Sequence, residues 1–485
     1  MERRKLLPRL GLAVLVFGAI WIAVILRWRM TNRVPNGLDV GLYLIALPLG
    51  LLLAIWLGFK IAGGIKKRRQ ARKATAEGGA VEGDVIAPDD PSLGWQLPVI
   101  IVDAILPAGA DLDGVIEAAR EGTRADLHPA LRDAGQRPAF AAEVGDLDID
   151  SVADTLPASA QTWPEARRRA LALGETLATR VLDEHFDMLR PTLDPEAPMS
   201  RVRPPVLQLE WLLPDTWSDA DREVAAEWLR ERLAEQGWET PELQVQARAI
   251  GAGAAVLKRL DDLNRAFHGD TLPLPHLLLA SDSHLDAATV AEWDAAHRLH
   301  GAANTEGRVP GEGAAAVLVA PSTHTVEPLP VRLGRLFAGR RAKAVDQPQR
   351  LQADTLEELA GKATAFLTAD NDNNDNNDDN GDSDSDELTL VADTDVRNSR
   401  AAEALHFTGA LLPEQDPDQS LLAIGMANGC AGAALTLATV AAAVHIGSGN
   451  GQPCLVFSHH DPVLRAAMLV APPPPPPADA ADATT

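Results

Sequence analysis

Residues 205–250 read PVLQLEWLLPDTWSDADREVAAEWLRERLAEQGWETPELQVQARAI, and their periodicity decides the fold class. Pro205–Leu213 is a short apolar run of strand character, and Glu242–Ile250 is a second one. Between them Ser218–Gln236 has the apolar spacing of an amphipathic helix, opened by an N-cap serine. The alternation continues outward. Gly253–Phe267 reads as helix, His276–Ala280 as strand, Asp286–Leu299 as helix and Ala314–Ala320 as strand. Upstream, Leu97 opens LPVIIVDAIL, a buried strand, and helices are expected at Asp113–Arg120 and Pro164–Leu189. Downstream come a helix at Thr355–Leu367, a strand at Leu388–Ala392, a helix at Gly432–His445, and strands at Gln452–Ser458 and Arg465–Val470. Strands separated by helices of 10–20 residues imply βαβ crossovers. The expectation is an α/β body over 97–471 with a mainly parallel sheet.

The flanks have a different texture. The chain of 485 residues carries 44 basic and 68 acidic side chains, a net charge of −24, yet residues 1–73 hold 14 basic and only 2 acidic ones. An acidic body argues against nucleic acid as its partner. Leu10–Leu26 is free of charge over 17 residues and Val40–Phe59 over 20, against about 17–25 for a spanning helix. Trp28 and Trp56 sit near run ends, at the level indoles favour. Arginines and lysines precede the first run and follow the second more densely than they fill the loop between. This predicts a two-helix transmembrane hairpin with both termini and the body on the cytoplasmic side. Residues 1–73 are thus a membrane anchor in a bacterial inner membrane, with the lipid bilayer as partner, and 74–96 a linker. In that compartment the two cysteines, Cys430 and Cys454, stay reduced. Asp370–Glu387 (DNDNNDNNDDNGDSDSDE) cannot bury a core and reads as a mobile acidic insert. Residues 472–485 open with six prolines and read as a disordered, extended tail.

Four pieces of the body, in order, carry a resemblance. Leu97–Gly122 resembles the first strand and helix of β-ketoacyl synthases, and Asp282–Leu299 is similar to the segment after their central strand. Glu306–Val319 (EGRVPGEGAAAVLV) is similar to their D-G-F-V-x-G-E-G-A-x-x-L-V stretch, and Ile424–Gly432 (IGMANGCAG) to their I-G-H-T-x-G-A-A-G loop. The resemblance implies a thiolase-like, layered α/β/α/β/α body that pairs as a homodimer. It also implies a reactive cysteine on a strand-to-helix elbow and two histidines. Carried over residue by residue, the elbow falls on Ile250–Gly253, where no cysteine stands. The first histidine falls on Ala392, eleven residues before Glu403, and the second on Met426. The family's closing F-G-F-G-G turn is replaced by Ser458-His459-His460-Asp461. The resemblance therefore implies a ketosynthase-like scaffold whose catalytic positions are substituted, acting through a protein partner that no residue names. An accessory part in an envelope or secretion assembly fits that placement without being specified by it.

Other candidates stand beside plainer readings. Cys430, in a glycine-rich turn at a helix start, is the alternative nucleophile for a divergent acyl-thioester enzyme. Its plainer reading is a small residue in a slot where the family carries alanine. Cys454 reads as core. His459 and His460 beside Asp461 offer acid–base groups, or else a polar turn. Asn376 to Glu387 mimics a calcium loop, as any Asp/Asn tract readily does. Arg332, Arg335, Arg340, Arg341 and Lys343 form the one basic cluster of the body, either an anion-receiving patch or a solvated face. Glu312 is expected to be a buried structural carboxylate by family analogy. No P-loop, dinucleotide fingerprint or H-E-x-x-H occurs, so no cofactor or metal is expected.

Overall fold

The computed structural model describes Trp21 and residues 90–189, 206–238, 242–322, 330–347, 353–371 and 388–472. The chain divides into two compact units, Met1–Ala80 and Val81–Thr485. The two expected membrane spans, most of the linker, residues 372–387 of the acidic insert with its calcium-like loop, and residues 473–485 of the tail lie outside the described residues. Among the described residues one helix, Gly432–Asn450, is long and apolar enough to cross a membrane, and 78% of its apolar window is buried, as in a core helix.

The first half of the body runs β1 (Leu97–Ile105), α1 (Leu112–Arg120), a hairpin of β2 (Asp126–Arg132) and β3 (Pro138–Ala141), α2 (Ile149–Thr155) and α3 (Glu165–Glu184). It continues through β4 (Leu207–Pro214), α4 (Asp219–Glu235), β5 (Leu243–Ile250), α5 (Ala254–His268), β6 (His276–Ser283), α6 (Ala287–Ala295) and β7 (Glu312–Val319). The second half runs β8 (Val331–Arg340), α7 (Asp354–Asn371), β9 (Thr389–Ala392), α8 (Asn398–Leu411), β10 (Leu421–Ala423), α9 (Gly432–Asn450), β11 (Cys454–Ser458) and β12 (Leu464–Ala471). Ten strands form one sheet in the order β10-β9-β11-β12-β8-β1-β7-β6-β4-β5. It is two five-stranded sheets with the same internal order, joined by the short antiparallel pairing of Leu97–Val99 with Val331–Leu333.

Period-two alternation explains the layering. On β6, Leu278 and Ala280 face the inner core with α5 and α9, while Leu277 and Leu279 face the outer core with α3 and α4. On the second half-sheet, Val391 and Val456 face the same inner core, and Leu390 and Leu455 face a third core beneath α7 and α8. Sheets covered on both faces need near-continuous apolar strands, which is what the sequence displays. The layers are helix, sheet, helix, sheet, helix, as the resemblance implied. The N-cap read from sequence is present too: Ser218 Oγ accepts from the Asp221 amide at 3.1 Å, and Asp221 accepts in return from the Ser218 amide.

The sheet is mixed, not mainly parallel. β4 pairs in parallel with β5 and β6, and β9 with β10 and β11, but β7 is antiparallel to both β6 and β1. The reason lies in α6. It sits at the end of β6 without crossing the sheet, so the chain re-enters at the same end and Ser283 pairs with Glu312. The basic cluster also changes character, because its arginines lie on or beside strand β8. Arg335 is 3% exposed and bonds Asp261 of α5 at 2.6 Å, and Arg341 pairs with Glu403. The cluster is therefore no single solvated face.

Glu312 is fully buried, as expected. Arg169 of α3 grips it through Nε at 2.7 Å and Nη2 at 2.5 Å, while Ser283 Oγ and the Val144 amide each donate at 2.9 Å. One carboxylate thus ties β7, β6, α3 and the segment after β3. Glu312→Ala leaves Arg169 buried without this counter-ion and is expected to cost about 3–5 kcal/mol of stability. Urea unfolding of the variant checks this, and a loss below about 1 kcal/mol contradicts it.

Candidate functional site

The sharp turn between β5 and α5 exists, and its apex is Gly253, with φ 71° and ψ −130°. Its amide donates to Thr436 Oγ1 of α9 at 2.9 Å. A Cβ on Gly253 would stand 2.8 Å from Ser458 Oγ, 3.7 Å from His460 Cβ and 3.9 Å from Asp393 Oδ2. A side chain at this apex would therefore crowd the Ser458 hydroxyl. A cavity of about 420 Å³ opens beside the turn. Gly251, Cys430, Gly432 and His460 line it together with Asp282, His284 and Arg308, and Trp217 and Trp293 stand in its walls.

The residues singled out by sequence are distributed unevenly around this point. Ala392 ends β9 and is packed in the third core with Phe407 and Phe457. Its successor Asp393 is the residue beside the elbow, accepting from Ser458 Oγ and, at 3.1 Å, from the His459 amide. Met426, half-buried on a helical turn at Gly425–Asn428, is not among the residues lining the cavity. Cys430 is, although only 3% exposed. Burial raises its thiol pKa, and the arginines Arg308 and Arg397 and the Gly432 amide only partly offset that. The thiol is neutral near pH 7. Cys454 opens β11 in the core, where burial alone lifts it to about 12.

His459 and His460 do not form a polar turn; they are 1% and 8% exposed. His460 is held well below the usual histidine range by burial, with Arg308, Arg397 and Arg400 adding to the effect. His459 shares Nε2 with Thr394 Oγ1 at 2.7 Å and Nδ1 with Glu403 Oε2 at 3.3 Å. Arg465 closes on Glu403 at 2.9 and 2.7 Å, and Arg341 joins it. Asp461 accepts from the Val463 and Leu464 amides, both at 2.8 Å, and so turns the chain into β12.

Asp393, Asp282, His284 and Arg308 were not singled out by sequence reasoning, and Ser458 appeared only as a departure from the family's closing turn. The available signal was register: β9 ending at Ala392 makes the next residue the one that leaves the strand toward the elbow. Among the described residues no group of three or more His, Cys, Asp and Glu is placed to hold a metal ion.

The Glu403 network has a pH signature. Burial pushes this carboxyl up, but His459 and Arg465 pull it down further, to about 2. A free glutamate titrates near 4.5, so the folded state gains from this group above about pH 4.5 and loses the gain as pH falls toward 2. Glu210 behaves alike, opposed by burial but drawn to about 2 by His276, Arg259 and Arg248. Each is expected to withdraw about 3 kcal/mol across that interval. Denaturant unfolding at stepped pH reads it, with Glu403→Gln giving a shallower slope; a stability independent of pH below 4.5 contradicts it.

No protein-family model matches the sequence, and no curated protein matches it. Solved structures do match. One is a type II PKS acyl-carrier protein in complex with its ketosynthase bound to the hexaketide (AntDE:AntF), at 11% identity over 78% of this chain and 99% of that one, TM-score 0.50. Another is the ketosynthase from module 6 of the bacillaene synthase of Bacillus subtilis 168, at 10% identity over 79% and 73%, TM-score 0.50. The ishigamide ketosynthase/chain length factor matches at 15% identity over 78% and 99%, TM-score 0.48. At these identities the likeness speaks for the fold: the body of this chain has the mixed α/β, thiolase-like fold of the ketosynthases.

Proposed function

We propose that this chain is a membrane-anchored, ketosynthase-like protein that has given up condensation and serves as a scaffold or docking component at the cytoplasmic face of a bacterial inner membrane. One observation carries the loss of chemistry. The elbow apex is Gly253, which has no side chain, and Ser458 Oγ lies 2.8 Å from where a Cβ would stand. Without a nucleophile the covalent step of condensation has no acceptor. The anchor rests on the two charge-free runs and their basic flanks. A homodimer is supported by β5, an edge strand of the ten-stranded sheet that presents the exposed Gln244, Gln246 and Arg248. An open edge is a template for a second copy.

The second reading, a divergent acyl-thioester transferase using Cys430, is favoured by the presence of that thiol on the cavity wall beside the α9 N-terminus. Its raised pKa speaks against it. Incubation of the detergent-solubilised full chain with a labelled acyl thioester, read by intact mass, is expected to give no adduct. An adduct on Cys430 that Cys430→Ala abolishes would overturn the scaffold reading. The anchor is tested separately: the chain should stay with membranes through carbonate washing and leave them only in detergent.

A further inference from the structure

Five buried carboxylates in this body close on arginines, Glu210 on Arg259, Asp261 on Arg335, Glu312 on Arg169, Asp395 on Arg397 and Glu403 on Arg465, and Asp393 is held by Ser458 Oγ and the His459 amide. Asp282 stands apart. It is 7% exposed and lines the cavity, yet among the described residues no side chain donates it a hydrogen bond. Its nearest charged contact is His284 Nε2 at 3.9 Å. The carboxylate lies flat against Gly432, where a Cβ would meet Oδ2 at 1.9 Å. His284 itself keeps a buried Nδ1 with no partner among the described residues. On the same cavity Arg308 is half-buried and makes neither an ion pair nor a side-chain hydrogen bond among the described residues. An unpartnered buried charge is costly, and here an arginine without an ion pair among the described residues lines the same cavity.

The cavity lining carries both signs of charge. Asp215 acts on Asp282 from the same lining, which also carries Asp286, Arg167 and the pair Glu292–Arg298. Around His460 the fields of Arg308, Arg397 and Arg400 converge. We propose that this cavity binds a small zwitterion, whose carboxylate is taken by Arg308 and whose ammonium is taken by Asp282. Arg308 offers a planar donor fork suited to a carboxylate, and Asp282 offers acceptors with no competing side-chain donor. Burial raises the Asp282 pKa, with His284 and the Ser283 amide opposing and Asp215 adding to it. A bound cation supplies the counter-charge that the protein withholds. The volume of about 420 Å³ suits a small molecule, and Trp217 and Trp293 give its walls an apolar lining for the ligand's chain. The proposal is independent of the scaffold reading, because its test measures occupancy and not acyl transfer.

The test uses the full chain in detergent and a ladder of ω-amino acids from glycine to 6-aminohexanoate, with acetate and methylammonium as single-charge controls. Calorimetry is expected to show saturable binding for a narrow range of chain lengths and none for the controls. Asp282→Asn and Arg308→Gln are each expected to weaken binding about 10- to 100-fold. On the unaltered protein, bound ligand is expected to slow iodoacetamide labelling of Cys430, which lines the cavity, while leaving Cys454 unchanged as the internal reference. Absence of binding across the ladder overturns the proposal. So does a control that binds as tightly as the zwitterions, or affinity that survives in both variants. If the variants do not fold, unchanged Cys430 labelling at saturating ligand overturns it equally.

Discussion

The architecture depends on one helix that has no solvent face over its first three turns. In α9, Ala433 to Val444 are buried in unbroken succession, wedged between two half-sheets. A helix enclosed on all sides must present an apolar surface all round and a slender one where sheets approach. The sequence GAALTLATVAAAVHIG meets both demands with alanines. Thr436 and Thr439 are the polar exceptions within Ala433–Val444. Thr439 is satisfied by the Leu435 carbonyl and Thr436 by the Gly253 amide and Asp393. The same helix therefore fills the core and fixes the elbow.

The alternation of strands and helices from β4 to β7 was legible because strands buried on both faces are continuous apolar runs. Direction was not legible. Nothing in the periodicity of Ala314–Ala320 distinguishes a strand that crosses over from one that doubles back, and the short α6 settled the matter through geometry. β8 escaped because Arg332, Arg335 and Arg340 give it the look of a charged surface segment, whereas Arg335 turns inward to Asp261. The β2–β3 hairpin escaped for another reason: its mostly exposed strands carry little apolar pattern.

The site was legible as a set of substitutions, and less so as a place. Fixed spacing from Glu403 put Ala392 opposite the elbow; the strand register gives that role to Asp393. Ser458 and His459 appeared as departures from a family turn, and in space they become a hydrogen-bonded plug around Asp393 and Glu403. Asp282 and Arg308 gave no signal at all. Charges are common in loops, and the absence of partners is a three-dimensional property.

The matching strand order of the two half-sheets has an evolutionary consequence. Each half repeats one plan, with a glycine of positive φ opening its buried helix, Gly253 in one and Gly432 in the other. Such a repeat is what duplication of one ancestral half would leave, with the copy in each half keeping its own glycine-opened helix.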